Sequence, residues 1–216
     1  MAPAPDQGGR PTCALAGVYR AGMKPTLFLA QDPPADALLA TNPLALFVGL
    51  VLDQQIPLER AFAAPYELTQ RLGQDLDAAE LAAYDPDKLA AVFAQPPALH
   101  RFPAAMAGRV QELARRIVDT YDGDPAAVWT GAATGEELRR RIEALPGFGA
   151  QKARIFVALL GKQLGVRPTG WRAAAGPFGV AGSFISIADI TSAASLATVR
   201  QHKKEMKAAA KARAGS

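Results

Sequence analysis

The chain has little of what staples or anchors other proteins. Cys13 is the only cysteine in 216 residues, which excludes a disulfide framework and any four-cysteine iron–sulfur or zinc centre. No apolar run reaches the length of a membrane span, and the N-terminus lacks the apolar stretch of a secretion signal, so a cytoplasmic chain is expected. Aromatic residues make up 7% of the chain, so few side chains are available for stacking on a flat ligand. No segment alternates between apolar and polar residues at period two, which removes the signal for a sheet and predicts an all-α body.

What is present fits that class. Half the residues are hydrophobic and alanine is abundant, a composition that favours a packed helical protein over a disordered one. A net charge of +4 and a sequence pI of about 9.4 permit a polyanionic partner without demanding one. Residues 1–24 are rich in Pro, Gly and Ala without a period and read as a mobile tail, with Met23 opening a more structured stretch. Thr26–Leu29 fits either an isolated strand or a loop packed on the core. Pro33 and Pro34 open a short helix. Asn42-Pro43 is a cap followed by proline at the first helical position, and the helix it starts is apolar all round until Asp53, as a buried central helix should be. Pro57 starts the next helix, running to Leu72. Asp77 with Glu80, and Asp85-Pro86, mark two more helix starts. Pro103 to Tyr121 reads as a long amphipathic helix, with Met106, Val110, Leu113 and Ile117 on one face.

The most specific stretch is Thr134 to Gly165, TGEELRRRIEALPGFGAQKARIFVALLGKQLG. Thr134 and Glu137 have the spacing of a capping box, and Leu138, Ile142 and Leu145 recur on one helical face. Beyond the glycines, Ala153, Phe156, Val157, Leu160 and Leu164 form a second apolar stripe. Two short helices therefore meet at Leu145-Pro146-Gly147-Phe148-Gly149. A helix start preceded by glycines presents free backbone N–H groups, which bind an anion, and Lys152 and Arg154 add positive charge.

L-P-G-F-G-x-x-K-A resembles the hairpin of the helix-hairpin-helix/Gly-Pro-Asp (HhH-GPD) superfamily of base excision DNA glycosylases. The segment F-V-G-L-V-L-D-Q-Q-I-P-L-E-R-A-F is similar to the alkyladenine branch, in which an apolar helix ends in a Gln-rich turn. The resemblance covers about Asn42 to Gly165. It implies a two-lobed all-α fold, with a helical barrel from about Asn42 to Gly131 and a second lobe that combines the N-terminal segment with the chain after the hairpin; the expected division is 25–131 for the N-terminal segment and barrel, 132–191 for the hairpin and Gly-rich loop, and 192–216 for a basic C-terminal helix or tail. It implies a monomer acting without a cofactor on duplex DNA that carries a damaged base. By position, Gln55 would fill the space left by an extruded nucleotide. Gly147, Phe148, Gly149, Gln151, Lys152 and Arg154 would contact DNA. Trp171 is the preferred base-stacking residue, with His100, Phe102, Phe178 and Phe184 as further aromatic candidates.

The chain departs from the family in two places. Where relatives with lyase activity carry a Schiff-base lysine, this chain has Gln151. Lys152, one step and about 100° further round the helix, is expected to face away as a phosphate contact, which disfavours a lyase. No carboxylate lies between Gln151 and Ile187, and Thr169-Gly170 stands where relatives place their catalytic aspartate. Asp189, which follows an apolar segment and heads a helix, and Asp53, beside the Gln-Gln turn, are the candidate substitutes. The function expected is monofunctional hydrolysis of an N-glycosidic bond; the alternatives are a non-catalytic DNA-damage-binding protein and a helical adaptor for a protein partner. The basic C-terminal segment, with Arg200, Lys203, Lys204, Lys207, Lys211 and Arg213, fits either a solvated helix end or a phosphate-binding arm.

Overall fold

The computed structural model describes residues 26–214, so the tail expected over 1–24 lies outside the described residues. The described chain is all helical: α1 (Pro33–Thr41), α2 (Pro43–Leu52), α3 (Leu58–Leu72), α4 (Ala78–Ala83), α5 (Pro86–Ala94), α6 (Pro103–Tyr121), α7 (Ala127–Thr130), α8 (Gly135–Glu143), α9 (Ala150–Gln163), α10 (Trp171–Ala175) and α11 (Ala193–Ala214). Among the described residues the only β-type pairing is an isolated bridge between Thr134 and Thr169.

The helix starts follow from local chemistry. Asn42 Oδ1 accepts from the Ala45 amide (3.1 Å), Asp77 from Glu80 (3.0 Å) and Asp85 from Lys88 (2.8 Å), each satisfying a donor that has no intrahelical partner. Thr134 Oγ1 accepts from the Glu137 amide (3.1 Å), but the capping box is not closed as expected. Glu137 instead accepts from the Ala133 amide at 3.0 Å, one residue before the cap. Thr26–Leu29 is a loop rather than a strand. Leu27 and Leu29 are buried in it, and the Leu29 and Ala30 amides donate to Asp36 at 2.8 and 2.9 Å.

All ten residues of α2 are buried, as its unbroken apolar sequence requires. α3 packs on α1 and α2, α4 and α5 both pack on α6, and α8, α9 and α10 pack on one another. α2 touches both of the latter groups: α6 directly, and the α8–α9 hairpin through Phe47 and Val51. One connected hydrophobic core runs from Leu27 to Val199. Among the described residues no single helix is long and apolar enough to cross a membrane.

Candidate functional site

Leu145–Gly149 forms the tight connection between α8 and α9. Gly147 adopts φ +84°, a conformation that favours glycine, and a Cβ there would crowd Val51 Cγ2 at 3.2 Å. Phe148 does not point at a ligand. It is buried, edge-on to Phe47 of α2 (5.6 Å between ring centroids) and 6.0 Å from Phe156 of α9. This corrects its assignment as a DNA contact: the ring anchors the turn to α2, and burying such a side chain contributes about 1.5–3 kcal/mol. Gly149 is the N-cap of α9, with φ −87° and ψ 175°, and offers no side-chain cap. The first helical bond is Ala153 N–H to Gly149 O (3.0 Å). The amides of Gly149, Ala150, Gln151 and Lys152 have no acceptor among the described residues. Gly149 and Ala150 are exposed, so these donors open to solvent in the arrangement that binds an anion.

Facing the hairpin is the unwound end of α2. Asp53 sits at φ −69°, ψ 67°, and the Gln54 amide donates to Leu52 O at 2.7 Å, an inverse γ-turn centred on Asp53. Gln55 follows at φ 57° and is exposed. A non-glycine residue in this region costs about 1–2 kcal/mol, so the strain is held by its surroundings. Those surroundings centre on Gln54. Its side chain donates to Val51 O (2.6 Å) and accepts from Arg109 of α6 (3.0 Å). Its carbonyl accepts from His100 Nε2 (2.8 Å), whose Nδ1 accepts from the Phe102 amide (3.1 Å). His100 is therefore a buried strut, not a stacking residue. Phe102, 42% exposed with the Arg101 guanidinium 4.7 Å from its ring centroid, is the open aromatic beside this turn.

Gln54, Arg109, Glu112, Pro146, Gly147, Gly149, Ala150, Gln151 and Lys152 line an open groove of about 670 Å³. Gln151 is exposed there, and Arg154 is exposed on the next turn of α9. Lys152 departs from expectation. It turns back toward α2, where its ammonium donates to Leu50 O at 2.7 Å. That position offsets the negative end of the α2 dipole and ties α9 to α2. Burial holds the Lys152 amine below its usual value, Asp53 partly restores it, and Arg109 lowers it further. Arg109 and Glu112, two charges on the solvent face of α6, were not singled out by the sequence reading, since only the fold brings them to the hairpin.

Asp36 and Asp189 are buried and Asp53 is half-buried, and their surroundings separate them. Asp36 accepts the two loop amides described above. Asp189 is saturated: one oxygen accepts from Lys162 Nζ (2.5 Å) and Ser183 Oγ (3.2 Å), the other from the Ile185 and Ser186 amides (3.0 and 3.1 Å). Its partner Lys162 lies twelve residues along α9 from Ala150, about 18 Å from the hairpin end at 1.5 Å per residue. Asp189 is thus a structural acid that fastens the loop to the far end of α9, which corrects its assignment as the catalytic group. Asp53 is the opposite case. Half-buried at the C-terminus of α2, its carboxylate has no hydrogen bond among the described residues. Burial pushes its pKa above the usual carboxylate range, Lys203 of α11 and Lys152 pull it back, and Glu59 adds to the rise.

Trp171 is also corrected. It is 6% exposed, and its ring fills the space over Gly161, where a Cβ would lie 2.3 Å from the indole. Arg172 covers the ring at 4.5 Å, so no face is open to a base. Thr169, where the resemblance would place an aspartate, accepts the Gly135 amide through its carbonyl (2.8 Å). Comparison with protein family models, curated proteins and solved structures finds no match.

Proposed function

We propose that this chain is a monofunctional DNA glycosylase of the helix-hairpin-helix type, which binds duplex DNA along the groove and hydrolyses the N-glycosidic bond of a damaged, extruded base. The observation that carries the proposal is the uncapped start of α9 opening on this groove, beside the α2 end where Gln55 is strained and exposed and Asp53 has no hydrogen bond among the described residues. An acid that is half-buried, unbonded and at the negative end of a helix dipole is costly to keep, and such groups cluster at functional sites. In this reading the α9 amides hold a phosphate and Arg109 adds charge. Gln55 occupies the vacated stack, and ionised Asp53 stabilises the positive character of the sugar as the base departs. The loop at Gln31 lies against α11, and α2 links the α4–α6 group to the α8–α10 group. In this reading the two groups form two lobes, with DNA across the groove beside α2.

One observation favours a second reading, a DNA-damage-binding protein without chemistry: the segment 167–172 holds no carboxylate. Production of abasic sites in lesion-bearing duplexes distinguishes the two. Loss of duplex binding with rising salt separates both from a protein adaptor.

Gln55 provides a test with opposite signs. Replacing Gln55 with Gly relieves the left-handed strain, so thermal stability holds or rises by the equivalent of about 1 kcal/mol. Lesion-duplex affinity falls, because no amide fills the stack. A drop in melting temperature with unchanged affinity contradicts this role.

A further inference from the structure

α11 changes character at Val199. Leu196 and Val199 are buried, 3% and 1% exposed, and dock the helix on the loop that contains Asp189. From Arg200 to Ala209 no residue is buried. At 100° per residue Arg200, Lys203, Lys204 and Lys207 fall within an arc of about 100°, while Glu205, bonded to Gln201 at 2.7 Å, lies outside it. Arg200 pairs with Glu59 in the first turn of α3, which fixes the direction in which the stripe leaves the body. Glu59 lies four residues after Gln55, where α3 begins, so the stripe leaves the body near the strained turn at the end of α2. The stripe therefore starts at the α2–α3 connection, which also carries the groove residue Gln54, and continues away from it. A lipid surface is not its match, because past Val199 the only large apolar side chain among those described is Met206, and an interfacial helix needs an apolar face.

We propose that the exposed part of α11 is a second phosphate track, with Lys203, Lys204 and Lys207 lying along the backbone of the same duplex that the groove holds. The proposal rests on the DNA-binding reading above and extends it: it names a contact outside the hairpin and sets the length of duplex the protein engages. A row of lysines on a helix suits this role, since each neutralises one phosphate and releases condensed counterions.

The test is a salt series of duplex affinity for the full chain, comparing wild type, the triple variant Lys203→Gln/Lys204→Gln/Lys207→Gln, the matching triple Lys→Arg variant, and Gly149→Val. Each lost phosphate contact lowers the slope of log K against log salt by about 0.9, so the Gln variant should lose up to about 2.7. The Arg variant should keep the wild-type slope. A Gln variant that binds with wild-type slope and affinity, while Gly149→Val is weakened, overturns the second track and leaves the groove reading standing. A wild type that binds no duplex overturns both. Loss of binding to anionic vesicles by the Gln variant, with duplex binding unchanged, also overturns the proposal.

Discussion

Gly149→Val keeps the fold and weakens duplex DNA binding about ten- to a hundredfold. The residue has φ −87°, open to any side chain, and a Cβ built there meets nothing within 4 Å. Its cost to stability is that of a poorer N-cap, about 1 kcal/mol. The position that needs glycine for its conformation is Gly147. At Gly149 the valine methyls instead occupy the space in front of the α9 amides, where a phosphate would sit. Hydrogen bonds to a charged group contribute about 1.5–3 kcal/mol, and a loss of that size is the affinity change expected. The check is a titration of duplex DNA alongside a thermal melt. Unchanged affinity in a folded variant contradicts the phosphate clamp.

Asp53→Asn separates chemistry from binding and from stability. Asparagine keeps the size and removes the charge, so base release should fall by about 10²–10³-fold, the scale for removing one electrostatic stabiliser of a transition state. Duplex affinity should be retained. The stability effect has the opposite sign. Because burial raises the Asp53 pKa in the fold, the protonated form is favoured there. Its contribution is present below the unfolded value and is lost as pH rises through the folded value. At neutral pH the wild type therefore bears the cost of an ionised, unbonded acid, and Asp53→Asn should melt higher, with the gap closing in acid. The same shift sets the acid limb of the wild-type rate above the ordinary carboxylate range. A variant that releases base at the wild-type rate removes Asp53 from the chemistry.

Local signals carried most of the fold. Asn42-Pro43, Asp85-Pro86 and the span Pro103–Tyr121 were legible because capping and proline chemistry act within a few residues. The hairpin was legible for the same reason. Its side-chain directions were not. Phe148 looks free in the sequence and is buried only because α2 passes beneath it. Lys152 was placed by rotation from Gln151, which is sound for an isolated helix, yet the space on that side holds the Leu50 carbonyl rather than solvent. Trp171 looked available until Gly161 opened a slot for its ring. Asp189, after an apolar segment, and Asp53, beside the Gln-Gln turn, are both candidate acids in the sequence. Only the three-dimensional list of donors shows that one is saturated and the other is not. Arg109 and Glu112 carry no sequence signal beyond lying off an apolar face.

The most direct measurement is release of free base, with formation of abasic sites, from duplexes carrying a panel of lesions and incubated with the wild-type protein. A glycosylase working through this groove releases base from at least one lesion, and does so far more slowly as Asp53→Asn. Tight, salt-dependent binding to the same duplexes with no base released from any of them would contradict the enzymatic reading and leave a DNA-damage-binding protein in its place.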